Sequence, residues 1–121
     1  MPVRSLHSSV IRWPARDVVI GSFREWVANA RSAHPELEAA GYFGSYARGD
    51  DGPGSDLDVI LVVNSTNVPF ERRAAGWDTS RIAVPVDLIV YTREEFDRLG
   101  RDGSRFAAML ASEAEWIVAP R

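Results

Sequence analysis

The chain has 121 residues, 45% of them hydrophobic and 26% charged, the size and composition of one ordinary globular domain that can bury a core unaided. It contains no cysteine, and all 14 of its Lys/Arg positions are arginine, which excludes disulfides, thiol nucleophiles, thiolate-held zinc, a Walker lysine and a Schiff-base lysine. A net charge of -3 argues against stable binding of duplex nucleic acid, and the longest apolar run, Val59 to Val63, is too short to cross a bilayer, so the expected location is the cytoplasm.

After an irregular start through Trp13-Pro14, the set Val19, Phe23, Trp26, Val27, Ala30 recurs at helical spacing and predicts an amphipathic helix over roughly 15 to 32. Pro35 ends it, and Leu37 to Phe43 reads as a strand running into Gly44. The Gly- and Asp-rich stretch from Gly49 to Ser55 is a loop. It feeds Leu57 to Val63, whose apolar continuity past Asp58 predicts a central strand covered on both faces. Pro69 opens a short helix with Phe70, Ala74 and Trp77 on one face. Val84 to Tyr91 is the next strand, with Pro85 near its start, where a missing donor is tolerated. Thr92-Arg93-Glu94-Glu95 is a capping box for a helix reaching about Leu99. Phe106 to Ala114 predicts a last helix, and Trp116 to Val118 a short edge strand. The fold class is therefore α/β in the α+β sense, a small mixed sheet flanked by helices, in a single domain over 1–121.

The chemistry concentrates in Gly44-Ser45-Tyr46-Ala47-Arg48-Gly49 and in Ser55-Asp56-Leu57-Asp58. Residues two apart on a strand share a face, which puts the Asp56 and Asp58 carboxylates side by side with α-carbons about 6.5 Å apart. Two acids at the mouth of an apolar strand repel each other and lose solvation, a cost that a bound cation offsets. Asp87 is the one acid in the Val84 to Tyr91 strand, and if that strand pairs beside Leu57 to Val63 all three acids line one cup. Oxygen ligands without Cys or His favour Mg²⁺, with Mn²⁺ as the alternative. Two such ions would activate an attacking hydroxyl and steady a leaving pyrophosphate. Gly44 and Ser45 present backbone amides and a small hydroxyl to phosphate oxygens, and Arg48 adds a cation.

Gly44-Ser45, ten residues, then Asp56-Leu57-Asp58, with a later acid in an apolar strand, resembles the nucleotidyltransferase superfamily that includes DNA polymerase beta. It looks most like the minimal nucleotidyltransferases, over roughly Leu37 to Tyr91 by motif. The resemblance implies the nucleotidyltransferase fold and an ATP-binding, Mg²⁺-dependent enzyme that moves AMP from ATP to a hydroxyl with release of pyrophosphate. It implies that Asp56 and Asp58 bridge both metals, that Asp87 holds the catalytic metal and helps deprotonate the acceptor, and that Gly44 and Ser45 hold the triphosphate. Many minimal members are antitoxins that add AMP to a HEPN-domain ribonuclease toxin, and the resemblance implies such a partner here. Minimal members do not require the tract Met1 to Trp13, which receives no role.

Two other functions stand beside this one: transfer to a small hydroxylated molecule such as an aminoglycoside, and a nucleotide- or partner-binding module without turnover. Arg48 is divided between phosphate contact and an ion pair with Asp50 or Asp51. Trp13, Trp26, Trp77 and Trp116 read as packing residues, His7 and His34 as surface residues, and Arg72-Arg73 as a solvated helix face. The acceptor, the base preference and homo-oligomerisation are open in the sequence.

Overall fold

The computed structural model describes residues 13–121, so the expectations for His7 and for the tract Met1 to Trp13, other than Trp13 itself, lie outside the described residues. Helix α1, Arg16–Ala33, buries the periodic set Val19, Phe23, Trp26, Val27 and Ala30. Asp17 in its first turn and Arg31 in its last complement the helix dipole. Its buried face lies on the strands, and each fully covered apolar side chain contributes about 1.5 to 3 kcal/mol.

Strand β1, Leu37–Phe43, is antiparallel to β2, Leu57–Val63. Strand β3, Val86–Thr92, runs parallel to β2, and β4, Glu115–Val118, antiparallel to β1, in the order β3-β2-β1-β4. β2 is central, as its unbroken apolar run implies. Leu57, Val59, Leu61 and Val63 face the α1 side and join its core, while Asp58, Ile60 and Val62 alternate to the other face. Over that face lie α3, Arg93–Asp102, and α4, Arg105–Glu113, held by edge-on ring pairs Phe43–Phe106 and Phe96–Trp116. One short helix, α2, Ser45–Arg48, follows β1 directly.

Three expectations change in detail. β3 begins at Val86 rather than Val84, because Pro85 has no amide to pair. Its carbonyl nevertheless accepts the Leu57 amide at 3.0 Å and opens the ladder. The helix expected from Pro69 is instead two 3₁₀ turns, Phe70–Arg72 and Ala74–Gly76, after which Trp77 is extended. A segment this short, ending in glycine, gains too few hydrogen bonds to offset helix nucleation.

Arg73, expected on a solvated face, is 9% exposed. Its guanidinium donates to Val68 O at 2.8 Å, Val90 O at 3.1 Å and both Glu95 oxygens at 2.6 and 3.2 Å. The same Glu95 completes the capping box, its Oε1 accepting the Thr92 amide at 2.8 Å while Thr92 Oγ1 accepts the Glu95 amide at 3.1 Å. One glutamate thus ties the turns after β2 to the start of α3. His34 is part-exposed, near the surface as expected, its ring tilted against Trp77 with ring centres 4.3 Å apart and Nδ1 3.3 Å from Glu36.

Candidate active site

The sheet register places Asp58 opposite Asp87 across the parallel β2–β3 pair, and opposite Phe43 across β1. In-register neighbours on parallel strands project to the same face, so both carboxylates emerge on one face at the start of their strands. Asp56 lies in the exposed connection one residue ahead of β2, so the alternation that pairs it with Asp58 acts across a strand boundary. Asp87 is exposed and Asp58 half-buried.

Electrostatics tie the three acids together. Burial pushes the Asp58 carboxyl above its ordinary value, and the charges of Asp87 and then Asp56 push it the same way. Arg48 opposes this and Glu113 adds to it. Among the described residues no three acidic, histidine or cysteine side chains stand close enough to cage an ion as they are. The donor chemistry nonetheless fits a hard cation: the ligands are oxygen only, and Asp58 carries a cost of ionisation that Arg48 offsets only in part and a cation would relieve.

The turn after β1 completes the site. Gly44 has φ +74° and ψ -150°, backbone that essentially only glycine adopts. A Cβ there would fall on Asp58 Oδ2 and lie 3.0 Å from Asp58 Cγ, so the turn is pressed against that acid. Ser45 begins α2, and Tyr46 behind it is buried and receives Trp13 Nε1 on its hydroxyl at 3.4 Å. Arg48 donates from Nε to Asp50 Oδ2 at 3.1 Å and from Nη1 to Glu113 Oε1 at 3.2 Å. Asp50 chiefly, with Glu113, holds it firmly protonated. Asp51 is taken instead by Arg16 at 2.7 Å, which fastens the glycine-rich loop to the start of α1.

Sequence reasoning did not single out Glu113. It comes from the end of α4, 69 positions from the Gly44 amide whose hydrogen it accepts at 3.0 Å. No local pattern announces so distant a contact. A cleft of about 190 Å³, lined by His34, Arg73 and Trp77, sits at the far end of β2, beside Val63. Asp56 and Asp87 lie at the surface away from it.

The profile of the nucleotidyltransferase domain family matches residues 17–114, from the first turn of α1 to the end of α4. The chain belongs to that family. Nucleotide transfer is the family's chemistry, and the superfamily typically uses divalent metal ions. A Sulfolobus solfataricus protein described as a nucleotidyltransferase is 31% identical, over 69% of this chain and 75% of its own, with a TM-score of 0.56. Its crystal structure and the mixed four-stranded sheet agree on the nucleotidyltransferase fold. A toxin–antitoxin crystal structure with AMP-PNP is 20% identical, over 86% of this chain and 73% of that one, with a TM-score of 0.48. A mutant of the toxin–antitoxin pair MntA–HpeT is 18% identical, over 86% and 72%, with a TM-score of 0.47. No curated protein matches the chain. No helix among the described residues is long and apolar enough to cross a membrane.

Proposed function

We propose that this nucleotidyltransferase moves AMP from ATP to a hydroxyl on a partner protein, with Mg²⁺ or Mn²⁺ held by Asp56, Asp58 and Asp87. The observation that carries this is the in-register Asp58–Asp87 pair with the Gly44 turn packed on Asp58. Phosphate donors and metal ligands thereby adjoin each other, as phosphoryl-group transfer requires. When bound, the metal would supply charge neutralisation on the phosphates and a lowered pKa for the acceptor hydroxyl. The Gly44 amide, the Ser45 hydroxyl and Arg48 receive β- and γ-phosphate oxygens. Asp87 orients the acceptor hydroxyl and takes its proton. The acceptor oxygen bonds to the α-phosphorus as the bond from that phosphorus to the bridging oxygen breaks, and pyrophosphate leaves with the bonding pair.

The exposure of Asp56 and Asp87 favours a macromolecular acceptor over a small one such as an aminoglycoside, which would need an enclosing pocket. A HEPN-domain toxin is the partner that the sequence resemblance implies, with this chain, as a single domain, acting as antitoxin in the cytoplasm.

The test incubates α-labelled ATP, Mg²⁺ and the protein encoded beside this chain, and follows labelled AMP on a gel. Wild type should label the partner. Asp87→Asn should bind ATP but lose at least about a thousandfold in transfer, a barrier change of about 4 kcal/mol. Equal transfer by both would remove Asp87 from the mechanism. Absence of transfer and of pyrophosphate release across a broad acceptor panel would leave a binding module.

A further inference from the structure

Glu113 has no part in the transfer just described, yet it occupies the phosphate end of the site. A single carboxylate oxygen, Oε1, accepts both the Gly44 amide at 3.0 Å and Arg48 Nη1 at 3.2 Å. Its side chain is 17% exposed, whereas the other acid on Arg48, Asp50, is 61% exposed. An oxyanion gathered by one main-chain amide and one guanidinium meets the same charge-assisted donors that a phosphate oxygen would use. The helix that presents it is fixed: Phe106 packs edge-on against Phe43 with ring centres 5.7 Å apart, and Leu110 is buried. Only the glutamate side chain need turn to clear the two donors.

Resting on the reading in which Gly44 and Arg48 receive the triphosphate, the geometry points to Glu113 as an internal competitor for the nucleotide. Its carboxylate fills the phosphate position of the nucleotide-free protein and swings out before a triphosphate is seated. The apparent dissociation constant is then the intrinsic one divided by the fraction of molecules with Glu113 displaced. The same factor weakens every ligand of the turn, so weak binders fall below useful occupancy while those with several phosphates still bind. Such a competitor sets an affinity threshold without touching the reacting phosphorus.

The experiment is calorimetry on the full chain with two probes, inorganic tripolyphosphate and a non-hydrolysable ATP analogue, each with Mg²⁺. Glu113→Gln and Glu113→Ala should tighten both probes about tenfold, because the competent fraction rises towards one. Asp50→Asn removes an equal charge from Arg48 without freeing the Gly44 amide, and should change affinity by less than about twofold. A second readout needs no variant. In wild type carrying ¹³C-labelled glutamate, the Glu113 carboxyl resonance should move to that of a solvent-exposed glutamate as tripolyphosphate binds.

Unchanged or weaker binding in folded Glu113 variants overturns the proposal, as does equal tightening by Asp50→Asn, which would reflect general charge relief. A Glu113 resonance that stays put while tripolyphosphate saturates the protein overturns it as well. Failure of the parent reading looks different. Probe binding that survives Gly44→Val would move the triphosphate away from this turn, and binding of neither probe by any variant would remove both readings.

Discussion

Replacing Gly44 by alanine tests the site through the backbone alone. Two penalties combine: its φ +74°, ψ -150° conformation disfavours any side chain, and the new methyl would land on the Asp58 carboxylate. The first is worth about 1 to 3 kcal/mol and the second, as overpacking, about 1 to 3 kcal/mol. Asp58 can relieve part of the clash by turning, but its Cγ at 3.0 Å and Cβ at 3.4 Å limit the escape. A net loss of about 2 to 5 kcal/mol follows, roughly 8 to 20 °C in Tm for a chain of this size. Urea unfolding would measure it beside two controls. Gly49→Ala faces a left-handed φ of +83° with nothing within 4 Å, and should lose about 1 kcal/mol. Gly76→Ala faces neither obstacle and should stay within about 0.5 kcal/mol. If Gly44→Ala is no worse than Gly49→Ala, the turn does not press on Asp58, and the proposed juxtaposition of phosphate donors with that acid is wrong.

Two further perturbations bear on charge. Arg73→Met should destabilise by about 3 to 5 kcal/mol, read from urea midpoints, because Glu95 and the Val68 and Val90 carbonyls lose a buried partner. Arg73 also holds the Glu95 carboxyl below its ordinary value, so that pair stabilises the fold above the carboxylate range and is lost as pH falls through the lowered value. Glu95→Gln should flatten this acid limb in a pH series of melting curves, and an unchanged limb would assign it elsewhere. Asp58 has the opposite sign. Its raised value means the ionised form is disfavoured in the fold, so stability falls as pH rises through the carboxylate range. Asp58→Asn in chelator at neutral pH should therefore raise Tm by a few degrees while removing any metal-dependent gain, and a lowered Tm would contradict the cost of ionisation that burial and the neighbouring acids impose on Asp58.

The parts legible in sequence were those whose cause is local. The periodic face of α1, the unbroken apolar run of β2 and the Thr92/Glu95 capping box each carry their own instruction, and all appear at nearly the expected residues. The side-by-side placement of β2 and β3 could be stated only as a condition, because pairing between distant strands leaves no mark on either. The Pro69 to Trp77 segment misled because its apolar spacing is helical while its length is not. Arg73 and Glu113 were illegible for a shared reason: each partner set lies on a different element, and an arginine or glutamate reads as solvated until the fold brings those elements together.

Pairing of β1 with β4, Gly41 opposite Trp116, also sets the order in which the molecule can be assembled during synthesis. At about 5 to 20 residues per second, β1 leaves the ribosome roughly 4 to 14 seconds before its outer neighbour. Through that interval a strand with buried Ala39, Ala40 and Tyr42 presents an unpaired edge, the state in which sheets join the wrong chain. Glu113, which precedes β4 by two residues, arrives in the same late instalment as the strand that covers that edge. A nascent chain therefore has its acidic pair in place, once β3 has emerged, before it has the carboxylate that fills the Gly44 turn.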